Sequence, residues 1–386
     1  MKKKIAILGS TGSIGKTVID IIKKNKKDFE IVLLSADKNY KELFKQAKNF
    51  NVKNLIITND NSYFKLKSKL NKNIRIYRDF NNLDKIFKKK VDYIMSSITG
   101  LEGLEPTYKI IKYTKKIAIA NKESIICGWN LLSKELKKNK TEFIPVDSEH
   151  FSIWYAIKNL NKESIEKIFI TASGGPFYNL PIKEFKNIKV NDAIKHPNWK
   201  MGKKISIDSS TLMNKVFEII EAKKIFNLSY NKLNILIHRN SYLHAIVKFN
   251  NGFSKLIIHD TNMKIPIFNS IYSNLNKSLP SKNLDIKKLN NFNLDKADSK
   301  RYPVIKILKK LPNKNSLFET IIVSANDELV SLFLEKKISY DSIIKSLFSF
   351  IKKGNFIKYK SKVPKNVNEI MSLKRYVQLK IRSIYI

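Results

Sequence analysis

Two carboxylates stand one residue apart in Phe143-Ile144-Pro145-Val146-Asp147-Ser148-Glu149-His150. In extended chain, positions i and i+2 face the same way, so Asp147 and Glu149 are expected to converge on one point. Carboxylates held together repel unless a cation lies between them, and hard oxygen donors suit Mg²⁺ or Mn²⁺ better than zinc. The bare D-x-E pattern is common, and His150 reads as packing or capping beside the pair rather than ligating. Downstream, Asp208-Ser209-Ser210-Thr211 reads as the start of a helix over 212–222. Met213, Val216, Phe217 and Ile220 make its core stripe, while Asn214 and Glu218 stack at i and i+4 with Lys215 alongside. An amide, an ammonium and a carboxylate beside a hydroxyl-rich helix start can hold a phosphate at one end and a metal at the other. An ordinary N-cap is the alternative reading of that start.

Two further segments offer ligand chemistry. Thr171-Ala172-Ser173-Gly174-Gly175-Pro176-Phe177 is a small-residue turn after an apolar strand, with a hydroxyl and amides for an anion. His196-Pro197-Asn198-Trp199-Lys200-Met201-Gly202 mixes a titratable ring, a rigid turn, a large aromatic and a glycine. That mixture suits a lid over a small ligand, with a buried apolar loop as the alternative.

The elements that position these residues are legible upstream. Ile5-Ala6-Ile7-Leu8 is a short buried strand, and Gly9-Ser10-Thr11-Gly12-Ser13-Ile14-Gly15 follows at once, before a helical apolar stripe from Thr17. Strand, glycine turn and helix form the context of a dinucleotide fingerprint, with phosphates drawn to the amides at the helix start. The second strand, Ile31–Ala36, ends at Asp37-Lys38-Asn39, where an acid favours a free ribose 2′-hydroxyl and a base a 2′-phosphate. Further strands are expected at Leu55–Thr58, Tyr93–Ser96 and Lys116–Ala120, giving a βα alternation and a parallel doubly wound sheet. The Lys- and Asn-rich stretches 59–74 and 81–90 read as surface. The last strand runs into Asn121-Lys122-Glu123-Ser124, which sets Lys122 at the strand's carboxyl end, where ligands bind in open α/β sheets. A helix cap with solvent charges is the alternative there.

Composition narrows the class. The 386 residues suggest two or three domains, and 43% apolar residues exclude disorder as the main state. No apolar run approaches the ~20 residues of a membrane span. The four apolar residues after Lys2-Lys3-Lys4 are too few for a secretory signal, so a cytoplasmic protein is expected. The one cysteine, Cys127, excludes an intrachain disulfide and multi-cysteine metal sites. A net charge of +41 suggests nucleic acid, but only six of the 74 basic residues are arginine, the residue of bidentate readout. Dispersed Lys with abundant Asn and Ile suits a coding sequence drifting toward A and T, and no nucleic-acid function is expected.

Six motifs in this order, GSTGSIG at 9–15, ANKES at 120–124, PVDSEH at 145–150, SGGPF at 173–177, HPNWKMGKKIS at 196–206 and DSSTLMNK at 208–215, resemble the 1-deoxy-D-xylulose 5-phosphate reductoisomerase family. Glu218 follows at the family's spacing, and the resemblance spans nearly the whole chain, weakest at 55–90 and beyond 310. It implies an α/β fold: a Rossmann-type dinucleotide-binding domain at 1–147, a central α/β catalytic domain at 148–275, a linker at 276–300 and a C-terminal helical bundle at 301–386. The implied reaction rearranges a linear ketose phosphate to a branched aldehyde, then reduces it with NADPH to 2-C-methyl-D-erythritol 4-phosphate. Asp147, Glu149 and Glu218 would hold Mg²⁺ or Mn²⁺, with Lys122, Glu149 and His196 as catalytic residues. Ser148, Ser173, Trp199, Ser209, Asn214 and Lys215 would bind substrate together with Glu149, His196 and Glu218, and Trp199 and Met201 lie on the matching flap. Thr11, Gly12, Ser13 and Ile14 would take the pyrophosphate, and Lys38 and Asn39 the 2′-phosphate. Asn121, Glu123 and Gly202 complete the cofactor set, and a homodimer is implied.

The chain departs from the family's pattern at Asp37, where glycine is usual, and at Arg239-Asn240, which replaces a Pro-Gln pair. An acid beside a ribose 2′-phosphate would repel it. A plain NADP-dependent sugar-phosphate dehydrogenase and a basic nucleic-acid-binding protein are the competing readings. The three-carboxylate set opposes the first, because hydride transfer alone needs no divalent ion.

Overall fold

The computed structural model describes residues 2–70, 73–199, 201–272, 277–280 and 283–385. Lys200 of the expected lid and positions 276, 281 and 282 of the expected linker lie outside them. The chain divides into two compact units.

The first unit comprises Met1–Ile125, Asn130–Phe151 and Met263–Pro280. Its strands are β1 (Lys3–Leu8), β2 (Phe29–Ala36), β3 (Asn54–Ile57), β4 (Arg75–Tyr77), β5 (Tyr93–Ser96), β6 (Lys116–Ile119) and β7 (Glu142–Pro145). They form one sheet in the order β4-β3-β2-β1-β5-β6-β7, and every pairing is parallel. Helices cover both faces of such a sheet, so its strands read as apolar runs; Ile5 to Leu8 are fully buried. The helix Ser13–Lys24 turns Val18, Ile19, Ile21 and Ile22 into the cluster that holds Ile5, Ile7, Ile31 and Leu34. Each such aliphatic side chain contributes about 1.5–3 kcal/mol relative to exposure. The helix Lys264–Ile271 joins the same core through Ile267, Phe268 and Ile271, and Ser270 hydrogen-bonds the Tyr93 hydroxyl at 2.7 Å.

The second unit comprises Ile126–Trp129, Ser152–Asn262 and Ser281–Ile386. It holds β8 (Ile165–Ala172), β9 (Leu233–Ile237), β10 (Leu243–Phe249), β11 (Ser254–Ile258) and β12 (Asp295–Lys296), in the order β11-β10-β8-β9-β12. Only the β8/β9 pair is parallel. The helix Met213–Phe226 packs Ile219, Ala222 and Phe226 onto this sheet among Ile168, Ile170, Ala245 and Val247. The remaining long helices are Leu317–Leu334, Tyr340–Ile351 and Val367–Tyr385. The α/β class, the dinucleotide-type parallel sheet and the helical C-terminal region agree with expectation.

Three local readings need correction. Ser148–Ala156 is a helix, so Asp147 and Glu149 converge as expected, their carboxylate oxygens within 4.8 Å, but across a helix start and not along one face of an extended strand. Asp147 instead stands before the first turn, where its Oδ1 accepts from the Ser148 amide at 3.0 Å and its carbonyl from Phe151 at 2.7 Å. Asp208, Ser209 and Ser210 end a preceding helix, Lys203–Ser210, rather than open the next. The N-cap of Met213–Phe226 is Leu212, buried and left-handed at φ 65°, a conformation costing a non-glycine residue about 1–3 kcal/mol. Finally, 59–74 and 81–90 are not surface throughout: Leu66, Leu83, Ile86 and Phe87 are buried, because amphipathic turns anchor to the core amid their lysines.

Cys127 is buried at 2% exposure, and burial pushes its thiol well above the ordinary value, with a Thr320 hydrogen bond opposing. It is a small packed residue, as its neighbours Gly128 and Trp129 suggested.

His238 carries a stability prediction. It is buried at 1% exposure, its Nε2 has no hydrogen-bond partner among the described residues, and burial depresses its pKa below 6.5, with the Asn293 carbonyl opposing. The unfolded chain therefore binds this proton more readily than the native one. The stabilisation is present above pH 6.5 and is lost as pH falls from there through the depressed native value. Urea midpoints measured from about pH 7.5 to 5 should fall more steeply for the wild type than for His238→Gln.

Candidate active site

The glycine turn sits at the carboxyl end of β1. Gly9 adopts φ +76°, and a Cβ on Gly15 would stand 2.3 Å from the Gly9 carbonyl oxygen and 2.5 Å from the Ser10 Cα. That contact explains why glycine is required where helix meets turn. The Ser10 amide donates to the Ser35 carbonyl at 2.8 Å, which ties the turn to the end of β2. The helix Ser13–Lys24 starts at Gly12 with no side-chain cap and no acid in its first turn. By contrast, Asn39, Asn59 and Asn121 each cap the helix they precede. Thr11, Gly12, Ser13 and Ile14 thus present a helix start suited to phosphate.

Asp37, Lys38 and Asn39 are all exposed at the neighbouring strand end. The Asp37 carboxylate accepts from the Thr58 hydroxyl at 2.9 Å, and the Asn39 side chain accepts from the Glu42 amide at 3.1 Å. Asn121 is committed within the fold: it accepts from the Ser124 amide and donates to the Ile98 and Gly100 carbonyls. Glu123, in the first turn after it, is buried.

Beyond β6 and β7, Lys122 donates to the Asp147 carboxylate, whose Oδ2 also lies 3.7 Å from His150 Nδ1. The Ser148 hydroxyl donates to Glu149 at 2.6 Å, and Ser148 and Glu149 are buried at 3% and 9% exposure. Adjacent parallel strands therefore bring Lys122, Asp147, Ser148 and Glu149 to one edge of the sheet. His150 sits beside the pair, as expected.

In the second unit, Glu218 is 1% exposed and accepts from Asn214 and from Lys215, each at 2.6 Å. The helix face anticipated from spacing is present. His196 Nδ1 accepts from the Asn198 and Trp199 amides at 3.1 and 3.0 Å, so the neutral ring carries its proton on Nε2. That nitrogen then donates to the Ser173 hydroxyl at 3.0 Å, which also accepts from the Gly175 amide at 3.1 Å. With both contacts incoming, the Ser173 proton is available to a ligand oxygen. Residues 195–199 and 201–202 have no regular structure, and Gly202 is exposed with open space where a Cβ would stand. Trp199 and Ser209 are half-buried.

Arg239 and Asp208 gain functions here that spacing did not show. The Arg239 guanidinium donates to the Ser173 carbonyl and, at 2.9 Å, to that of Gly175, while stacking over Tyr178 at 4.7 Å. It pins the Ser173 turn. Asp208 accepts from Asn326 at 2.8 Å and pairs with Lys204 at 3.1 Å, locking the end of its helix to Leu317–Leu334. The signs of Arg239 in the sequence were its departure from the family's Pro-Gln pair and its being one of six arginines among 74 basic residues.

The parallel sheet with its uncapped glycine turn, and the carboxylates at its edge, define a Rossmann-type dinucleotide-binding α/β protein. Three family models match: 1-deoxy-D-xylulose 5-phosphate reductoisomerase at residues 5–128, and two C-terminal domains of the same enzyme at 143–226 and 259–379. The chain belongs to the 1-deoxy-D-xylulose 5-phosphate reductoisomerase family. It is 62% identical to that enzyme from Pelagibacter ubique (strain HTCC1062) over 386 residues, 99% of both chains. It is 39% identical to the one from Wolbachia pipientis subsp. Culex pipiens (strain wPip), over 92% of this chain and 91% of the relative. Among solved structures, the enzyme from Zymomonas mobilis in complex with NADPH superposes with a TM-score of 0.89 at 28% identity, covering 100% and 99% of the two chains. A reductoisomerase in complex with NADPH, fosmidomycin and magnesium gives 0.90 at 28% identity, over 99% of this chain and 98% of that one.

Proposed function

We propose that the protein converts 1-deoxy-D-xylulose 5-phosphate to 2-C-methyl-D-erythritol 4-phosphate with NADPH and Mg²⁺ or Mn²⁺. One observation carries the reading: Lys122, Asp147, Ser148 and Glu149 meet at the carboxyl edge of the sheet whose β1 opens on an uncapped glycine turn. Carbonyl-directed groups and a dinucleotide turn thus share one edge, as reduction of an aldehyde requires.

Asp147, Glu149 and Glu218 would hold the ion. All three offer carboxylate oxygen, a donor set that fits a hard divalent cation. When bound, the ion stabilises negative charge on the substrate's carbonyl and adjacent hydroxyl oxygens during carbon migration. Lys122 and Ser148 would contact those oxygens. The phosphate goes to Ser173, Ser209, Asn214 and Lys215, with His196 holding the Ser173 hydroxyl in place. Trp199 and Met201 would cover the substrate and exclude water from the reactive aldehyde. Thr11 to Ile14 bind the pyrophosphate, Lys38 and Asn39 the 2′-phosphate, and Asn121, Glu123 and Gly202 the rest of the cofactor. NADPH held there would supply the hydride that reduces the aldehyde carbon. The domain limits are taken as 1–147, 148–275 and 301–386 around a linker at 276–300. Among the described residues, no helix is long and apolar enough to cross a membrane. A homodimer is implied by the family resemblance, and a cytoplasmic location by the short apolar run after Lys2-Lys3-Lys4.

Absorbance of NADPH, and separately NADH, followed on adding the substrate with and without Mg²⁺ tests the assignment. Metal-dependent loss of NADPH is the expected result. Oxidation of neither by folded protein would overturn it.

Two substitutions probe the departures. Asp37 places a carboxylate where a 2′-phosphate would lie, worth about 1 kcal/mol across water, so Asp37→Ala should lower KM for NADPH about fivefold and leave that for NADH unchanged. Arg239→Met removes charge-assisted bonds to two carbonyls of the Ser173 turn, worth roughly 1.5–3 kcal/mol each. Its KM for substrate should rise about tenfold with kcat within twofold, since the turn is displaced and not the chemistry.

A further inference from the structure

The second unit contains a cavity of about 990 Å³ lined by none of the residues given a substrate or cofactor role above. Its volume lies in the range of small-molecule pockets, roughly 300–1,000 Å³. One wall is apolar. Ile344 and Phe348 are spaced i and i+4 on the helix Tyr340–Ile351, so they share a face, and Ile182, Phe185 and Pro303 line the cavity with them. These side chains are incompletely covered: Ile182 is 47% exposed, and Ile344, Phe348 and Phe185 are half-buried.

Beside Ser210, Thr211, Tyr340 and Ser349, the polar lining is mostly cationic. Lys183, Lys186, Lys300, Lys352 and Lys353 contribute, all exposed, against a single carboxylate, Asp341. Asp341 is already engaged by Lys345 at 2.6 Å and by the Ser339 hydroxyl, interactions that hold it below the usual carboxylate range. The walls are built rather than loose. Arg301 donates to the Phe177 and Leu180 carbonyls at 2.8 and 2.9 Å and lies over the Phe185 ring. At the inner end, buried Tyr340 donates to the Ser210 hydroxyl at 3.0 Å and packs edge-on against Phe177 and Phe185. Uncovered apolar surface beside several lysines and one engaged acid matches a ligand with an apolar chain and a multiply charged anionic head.

We propose that this cavity binds an amphiphilic organic phosphate, its chain against Phe185, Ile344 and Phe348 and its phosphate among Lys186, Lys300 and Lys352. The site does not depend on the reaction proposed above, because binding is read without substrate or NADPH.

Calorimetric titration of the full chain with octyl phosphate, below its micelle concentration, tests it. One molecule should bind per chain. Ile344→Asp should weaken binding about tenfold or more by placing a carboxylate in the apolar wall, and the exposed Lys186→Gln/Lys352→Gln pair should do the same by removing head-group charge. Lys23→Gln/Lys24→Gln, in the other unit, should bind as the wild type does. Turnover of the cavity variants should stay within about twofold. Because Lys186 and Lys352 are exposed, that pair keeps the test valid should Ile344→Asp fail to fold. Equal binding by wild type and cavity variants, or equal affinity for inorganic phosphate, would reduce the effect to general charge and overturn the proposal. Binding only to anionic vesicles, or variants that lose a dimer without ever having bound octyl phosphate, would also overturn it.

Discussion

Glu218→Gln is expected to lower kcat/KM by on the order of 10²–10³-fold, the scale seen when one group that stabilises developing charge is removed. The carboxylate is buried, with Asn214 on one oxygen and Lys215 on the other, each at 2.6 Å. Gln can still accept one of these bonds but carries no charge to offer a divalent ion. Binding of Mn²⁺, followed by electron paramagnetic resonance, should weaken in parallel. Removing one member of a buried ion pair also costs stability, about 3–5 kcal/mol where the partner stays buried. Glu218→Asp separates the two effects, because it keeps the charge and retracts it by one methylene. Unchanged Mn²⁺ binding and turnover in folded Gln and Asp variants would remove Glu218 from the metal set.

Gly15→Ala is expected to lose about 3 kcal/mol of stability together with NADPH binding. The new methyl would meet the Gly9 oxygen at 2.3 Å and the Ser10 backbone at 2.5 and 2.7 Å, and backbone atoms inside a sheet-anchored turn cannot swing away as a side chain could. Gly12→Ala is the informative partner. Its Cβ would meet the Gly9 oxygen at 3.4 Å, an ordinary contact, so stability should hold while the methyl projects from the helix start that receives phosphate. Thermal unfolding and NADPH fluorescence titration read the two properties separately. Equal stability of Gly15→Ala and wild type would contradict the packing argument.

Gly12 and Gly15 lie in a stretch whose structure is written locally. Strand, turn and helix are encoded between residues 3 and 24 by an apolar run, a glycine spacing and a 3.6-residue period. The parallel sheet was therefore legible from sequence alone, as were the Asn214–Glu218 pairing and the packing of Cys127. Capping was harder to read. Asp147 and Asp208 carry the same residue type, yet one precedes a helix and the other ends one. Asp208 sits where it does because Asn326 and Lys204 bind it, the former 118 residues away. Leu212 takes a left-handed turn that its own side chain opposes, and it is held there with 1% exposure between the 203–210 and 213–226 helices.

The sequence by itself determined the class of sheet, the nucleotide turn and the order of motifs that marks the family, because each is written in short-range spacing and in apolar periodicity. Only the tertiary structure decided that Glu149 is helical, that Arg239 pins the Ser173 turn from 66 residues away, and that Arg301 walls a cation-lined cavity through carbonyls more than 120 residues distant. Those outcomes depend on which surfaces meet after the chain closes on itself, and no residue's neighbours in sequence carry that information.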